Sequence, residues 1–282
     1  MPRSPARATL PKLAAAAFVC VAAFLLVMFE FQAQAIFPTH AVAPPGPLPG
    51  GAERVTIAAP GGNRLHGVHI PPAAEPAGGR TLVLGFAGNA WNSEDAATYL
   101  HDLYPAADVV AFHYRGYRPS TGSPSSAALL EDAPLVHDFA VAKVRSGRTV
   151  AVGFSIGSGV AAHLARERPL DGLVLVTPFD SLKAVAAGHY PYLPVGALFR
   201  HDMDAAAALK GSRVPTAIIA AERDTIIPPP RTEALRPAIG NLLFDRTIAG
   251  AGHNDLYQRP EFRAAMKEAL QALGKPGARP GA

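Results

Sequence analysis

Cysteine is nearly absent, with one residue, Cys20, in 282. A single thiol closes no disulfide within the chain and builds no cysteine-based metal site. Surplus charge is scarce as well. The 26 Lys/Arg and 22 Asp/Glu give a net charge of +4, and Arg3, Arg7, Lys12 and Glu30 account for the first 50 residues. What remains from residue 51 onward is 23 basic against 21 acidic residues, a net of +2. That balance provides no basic stripe for nucleic acid, so none is expected as a partner. There is no internal repeat, no P-loop and no spaced set of metal ligands, so neither metal nor other cofactor is expected. His66 and His69, three apart on a strand-like run, point to opposite faces and make no metal pair.

What is present begins with an apolar run. Residues 13–29 read LAAAAFVCVAAFLLVMF, seventeen positions without a charge or a glycine. A bilayer core needs about 20 apolar residues, with about 17 as the lower limit. The run is therefore expected to anchor the chain in the membrane. Two other readings compete: a signal segment cleaved after the small-x-small pattern Ala33-Gln34-Ala35, and a buried core helix. The basic residues that precede the run favour a cytoplasmic N-terminus, with everything after residue 35 outside the cytoplasm. The expected location is the cytoplasmic membrane, single-pass, or the periplasm or exterior if cleavage occurs. Residues 37–50, FPTHAVAPPGPLPG, hold five prolines and two glycines. Such a composition favours extended polyproline geometry and suggests a stiff spacer.

Beyond residue 50 the pattern is strand and helix in alternation. Short runs at 55–57 and 65–70 flank the turn Pro60-Gly61-Gly62-Asn63 and predict a hairpin. Apolar runs then recur at 81–86, 109–113, 149–153, 173–177, 216–221 and 242–248, each followed by a helix-length segment. Continuous Val/Leu/Ile runs mean strands covered on both faces, and alternation with helices means a parallel sheet. The expected fold is α/β: a mostly parallel eight-stranded sheet flanked by helices. The expected organisation is an anchor or signal segment at 1–36, a Pro-rich linker at 37–50, one catalytic domain at 51–273 and a disordered tail at 274–282.

In open parallel sheets ligands bind beyond the carboxyl ends of the strands. The run at 149–152 leads into Gly153-Phe154-Ser155-Ile156-Gly157, and Ser158-Gly159-Val160-Ala161 opens a helix. G-x-S-x-G between a strand and a helix is the setting of a nucleophile elbow: a tight turn projects the serine, and side chains at the flanking positions would strike backbone. A rival reading takes Gly157-x-Gly159-x-x-Ala162, with Asp180 beyond the next strand, as a dinucleotide fingerprint. In the hydrolase reading the chain order is Ser, Asp/Glu, His. The run at 216–221 is followed by Glu222-Arg223-Asp224, and that at 242–248 by Gly250-Ala251-Gly252-His253. Ser155 is then the nucleophile, His253 the base and Asp224 the acid, with Glu222 and Asp180 as competitors for the last role. A tetrahedral intermediate needs two N–H donors. Ile156 is expected to supply one and Asn89, in the loop after the third strand, the other, with Gly88 or Ala90 as alternatives.

Taken together, these residues resemble the single-anchor branch of the α/β-hydrolases, the abhydrolase-domain-containing proteins related to serine aminopeptidases. The resemblance spans about 53–270. It includes Gly88-Asn89-Ala90, Tyr114-Arg115-Gly116-Tyr117 with Ser120 and Gly122, the elbow, Pro178-Phe179-Asp180-Ser181-Leu182, Tyr190-Pro191-Tyr192-Leu193-Pro194, and the Asp224 and His253 loops. Ala87 replaces a histidine frequent in that family, and Ala221 replaces a strand-end glycine. The resemblance implies hydrolysis of ester, thioester or amide bonds through an acyl-enzyme. Some relatives in that branch are protein depalmitoylases. A peptidase of the aminopeptidase type, or a non-catalytic membrane-anchored binding protein of the same fold, are the alternatives. The gap from Pro178 to Pro215 leaves room for one or two helices but not for a cap domain. Its aromatics, Phe179, Tyr190, Tyr192 and Phe199, would either wall an acyl site or pack the sheet edge.

Overall fold

The computed structural model describes residues 6–74 and 79–274, with backbone alone for 6–11. The expected tail lies outside the described residues apart from Gly274.

Eight strands form one sheet: β1 Glu53–Ala59, β2 Asn63–Ile70, β3 Thr81–Phe86, β4 Asp108–Phe112, β5 Arg148–Phe154, β6 Gly172–Val176, β7 Thr216–Ala221 and β8 Leu242–Ile248. Their order is β1-β2-β4-β3-β5-β6-β7-β8. β1 and β2 pair antiparallel, as do β2 and β4, and every later pairing is parallel. The α/β-hydrolase architecture read from the sequence is the one observed. Ten helices are described: α1 Ala6–Glu30, α2 Gln32–Ile36, α3 Ser93–Leu103, α4 Ser126–Val144, α5 Ile156–Glu167, α6 Leu182–His189, α7 Val195–Leu198, α8 Ala205–Leu209, α9 Pro229–Leu235 and α10 Pro260–Ala272.

The sheet is covered on both sides because its central strands are apolar along most of their length, with polar residues such as Thr81, Asp108, Arg148 and Thr216 confined to their starts. Val150, Val152 and Phe154 of β5 pack with Ala97 and Leu100 of α3 and Phe262 and Met266 of α10. Ala151, on the opposite face, packs with Leu129 and Ala133 of α4 and Val160 and Leu164 of α5. Each fully buried side chain of this size contributes about 1.5–3 kcal/mol relative to exposure. β8 departs from the expectation of burial on both faces. Its residues alternate between half-buried and exposed until Ile248, because it is the edge strand and one of its faces meets solvent.

Two further departures concern the segments outside the sheet. Three short helices, α6 to α8, occupy the stretch between β6 and β7 where one or two were expected. Residues 37–50 do not stand off as a spacer but lie along the domain. Phe37 is buried edge-on against His201, Asn92 Nδ2 donates to the Ala43 carbonyl at 3.0 Å, and the Gly46 N–H donates to Asp95 Oδ1 at 2.8 Å. Proline-rich chain has few internal hydrogen bonds to satisfy, so it is free to use its carbonyls and N–H groups on a neighbour.

Candidate active site

The site is assembled at the carboxyl ends of β3, β5, β7 and β8. β5 ends at Phe154, and Ser155 follows with φ 51° and ψ −118° before α5 starts at Ile156. A Cβ at Gly153 would overlap the backbone of Gly157, and one at Gly157 would overlap the carbonyl of Phe86 at the end of β3. These contacts explain both flanking glycines. Gly159 faces Phe179 and Met203 in the interior. The turn is held by Ser155 N–H donating to the Val176 carbonyl at 2.9 Å. Ser158 donates from Oγ to the Ser155 carbonyl at 2.6 Å.

Ser155, His253 and Asp224 are each more than nine-tenths buried. His253 Nε2 lies 3.0 Å from Ser155 Oγ, and its Nδ1 lies 2.7 Å from Asp224 Oδ2. Since a carboxylate only accepts, Nδ1 carries the proton and Nε2 accepts from the serine hydroxyl. The second carboxylate oxygen, Oδ1, accepts from the N–H groups of Ile226 and Ile227 at 2.9 and 2.7 Å, which fixes the plane of the acid. Of the competitors, Glu222 accepts from the Gly250 N–H at 2.7 Å, and Asp180 accepts from Arg231 at 3.2 Å. Neither is the partner of His253. The histidine loop is tied to the acid loop by the Arg223 N–H on the Ala251 carbonyl at 2.8 Å. Asp255 shapes the same loop by accepting from the Gly252 N–H at 2.7 Å and from Arg259 Nε at 2.9 Å. Arg259 and that N–H hold the Asp255 carboxyl below its ordinary value.

A cavity of about 300 Å³ opens over the serine, lined by Gly88, Asn89, Ala90, Trp91, Ser155, His253, Asn254 and Tyr257. Ile156 is the first residue of α5, where backbone N–H groups have no intrahelical acceptor. The loop carrying Asn89 lines the same cavity as Ser155, and a Cβ built at Gly88 would lie 3.9 Å from the Ser155 Cβ. Asn89 also works through its side chain, which the sequence did not suggest: Nδ2 donates to the Ile36 carbonyl, and Oδ1 accepts from Tyr117 Oη at 2.7 Å. Tyr114 Oη donates to the Ala87 carbonyl at 2.8 Å. Burial pushes both phenols above their ordinary values, so they stay protonated and act as donors. The two tyrosines thus hold the loop in which Ala87 stands for the expected histidine. Trp91 and Tyr257, each packed on Phe154 with ring centroids 5.1 and 5.9 Å away, form the rest of the wall. Sequence reading gave these four aromatics no role. The Tyr114-Arg115-Gly116-Tyr117 motif was the one available signal. Among the described residues no group of three or more His, Cys, Asp or Glu is placed to hold a metal ion.

A family model described as the α/β hydrolase fold matches residues 82–192. An uncharacterised protein of Mycobacterium tuberculosis is 32% identical over 251 residues, covering 87% of this chain and 88% of that one. The chain belongs to the α/β-hydrolase superfamily. Within this superfamily, the lysophosphatidylserine lipase ABHD12 of Xenopus tropicalis is 29% identical over 191 residues, 57% of this chain. The chain spans about half of that protein, 49% of its length. Among solved structures, an esterase of Pyrococcus furiosus superposes with TM-score 0.63 at 19% identity, covering 82% of this chain and 96% of that one. A serine hydrolase of Xanthomonas campestris described as lacking a lid superposes with TM-score 0.57 at 15% identity, covering 80% and 97%. At these identities the two structures establish the shared fold of the hydrolase superfamily.

The apolar N-terminal run forms the helix expected. Lys12–Glu30 has mean hydropathy 2.5, has no fully buried residue, with Leu25, Met28 and Phe29 half-buried at its end, and is long and apolar enough to cross a membrane. A helix with no buried residue is not a core helix, so that reading falls. Anchor and signal both remain compatible with it.

Proposed function

We propose that the chain is a membrane-associated serine hydrolase that cleaves carboxylic esters or thioesters through an acyl-enzyme. The observation that carries this reading is the relay of two hydrogen bonds, 3.0 Å from Ser155 Oγ to His253 and 2.7 Å from His253 to Asp224. In the acylation step Ser155 Oγ attacks the substrate carbonyl while His253 Nε2 takes the hydroxyl proton. Asp224 orients the imidazole and balances the positive charge formed on it. The tetrahedral oxyanion is met by the backbone N–H groups of Ile156 and Asn89. His253 then returns the proton to the leaving alcohol or thiol as the C–O or C–S bond breaks. Water repeats the sequence on the acyl-enzyme and releases the acid. The domain at 51–273 performs the chemistry, and residues 1–36 attach it to the cytoplasmic membrane with the site on the extracytoplasmic side. The ABHD12 relative's name, a lipase, supports acyl lipids as the substrate class.

The test is turnover of a panel of 4-nitrophenyl esters beside amino-acid anilides, with Ser155→Ala as the control. Ester hydrolysis that falls by at least about a thousand-fold in the variant supports the proposal. Anilides cleaved in preference to esters would assign a peptidase. Turnover in Ser155→Ala above about a tenth of wild type would remove Ser155 from the mechanism.

A further inference from the structure

A second cavity, about 160 Å³, lies between the N-terminal helices and the stretch that joins β6 to β7. One wall comes from Met28, Ala35 and Ile36 of α1 and α2, the other from Ala186, Val195 and Leu198 of α6 and α7. No member of the serine–histidine–aspartate relay lines it. Its construction nevertheless ties it to that relay at two points. The carbonyl of Ile36, a wall residue, accepts from Asn89, which lines the cavity above Ser155. On the other wall α6 ends at His189, whose Nε2 donates to the Ile226 carbonyl at 2.8 Å, two residues beyond Asp224.

The N-terminal wall is docked by directed contacts. Gln32 Nε2 donates to the Leu198 carbonyl at 2.7 Å, and Gln32 Oε1 accepts from the Arg200 N–H at 3.0 Å. Arg200 reaches back to the Phe29 carbonyl at 3.1 Å, and its guanidinium sits 4.0 Å from the centre of the Phe29 ring. These bonds hold the end of the apolar helix Lys12–Glu30 against the domain. The groove is therefore continuous with the part of the chain that would sit in a bilayer. Tyr190, half exposed, lines the groove, and Tyr192, 98% exposed, stands beside it. Tyrosine is a residue type that settles at the headgroup level of a membrane.

We propose that this groove is the subsite for the hydrocarbon chain of a membrane-resident acyl ester, and that the anchor helix is one of its two walls rather than a tether alone. The inference rests on the hydrolase reading above. The acyl chain enters from the bilayer along α1 and lies between α2 and α6–α7; the Asn89–Ile36 hydrogen bond, which separates this groove from the cavity over Ser155, opens to let the carbonyl reach the serine. No group is transferred beyond the acyl transfer already described. The groove selects which acyl chains reach the serine.

The experiment uses the full chain in mixed micelles, with 4-nitrophenyl butyrate and 4-nitrophenyl laurate as probes. Ala35→Trp and Ala186→Trp fill the groove from opposite walls. The quantity read is the laurate-to-butyrate ratio of kcat/KM. Excluding two or more methylenes from the groove lowers that ratio about ten-fold or more in both variants. A ratio within two-fold of wild type in both variants, or an equal loss on both esters, would overturn the groove as subsite while leaving the hydrolase reading intact. A wild-type chain that hydrolyses neither probe would overturn the hydrolase reading, and the groove assignment with it.

Discussion

Ser155 holds φ 51° and ψ −118°, a backbone region that residues with a Cβ rarely occupy and that costs on the order of 1–3 kcal/mol. Removing the Cβ relieves that strain. Ser155→Gly and Ser155→Ala both delete the hydroxyl, so their comparison isolates the methyl group and the backbone. At an unstrained buried position alanine is favoured over glycine, by about 0.5–1 kcal/mol from backbone entropy and about 0.8 kcal/mol from methyl burial. Ser158, three residues on in α5 and 1% exposed, supplies that unstrained reference. Urea unfolding of the four variants gives two alanine-minus-glycine differences. The account requires the difference at Ser158 to favour alanine by about 1–2 kcal/mol. The difference at Ser155 shifts toward glycine by about 1–3 kcal/mol, enough to cancel or reverse the order. In thermal melts each 1 kcal/mol corresponds to about 2–4 °C for a domain of this size. Equal differences at the two positions would refute the strain at Ser155.

Three other outcomes follow from the same structure. Gly157→Ala places a Cβ on the Phe86 carbonyl, where no side chain can yield, and should cost more than about 3 kcal/mol in unfolding free energy; a loss under about 1 kcal/mol would show that the packing of β3 on the elbow is looser than described. Arg168, bonded to Asp138, holds that carboxyl down to about 2, with a smaller lowering from His137. A depressed folded value means stability that is present at neutral pH and is lost as pH falls toward 2. In Arg168→Ala, carbon-detected NMR should find the Asp138 titration raised toward the ordinary aspartate value of about 3.9, short of it by what His137 still contributes, with a shallower loss of stability on the acid side; an unmoved titration would contradict the pairing. Ester turnover should survive incubation with EDTA, and loss of activity restored by zinc would show that a metal takes part.

Much of the fold was legible because the central strands β3 to β7 are runs of mostly apolar residues separated by segments rich in glycine and proline. Ser155, Asp224 and His253 could be found because each follows a strand end, and the structure brings these three side chains within hydrogen-bonding distance. The choice of Asp224 over Glu222 was less legible. Two carboxylates two residues apart differ only in which way the loop turns, and that is decided by the Ile226 and Ile227 N–H groups. What sequence could not supply are contacts between distant segments. Phe37 in its pocket, Asn89 bridging Ile36 and Tyr117, and Gln32 on Leu198 join residues 28–166 positions apart. Composition marked 37–50 as extended but could not say what it lies against. The alternation in β8 was read as an interior strand because Leu242, Leu243, Phe244 and Ile248 are apolar, whereas an edge strand exposes some of them regardless.

The central claim, that Ser155 is a nucleophile activated through His253, is tested most directly by intact-protein mass spectrometry after brief exposure to a fluorophosphonate. The account predicts one phosphonyl adduct on the wild-type chain, mapped to Ser155, with no adduct on Ser155→Ala and a labelling rate at least about a hundred-fold lower on His253→Ala. An unlabelled wild type, or an adduct that persists in Ser155→Ala, would contradict it.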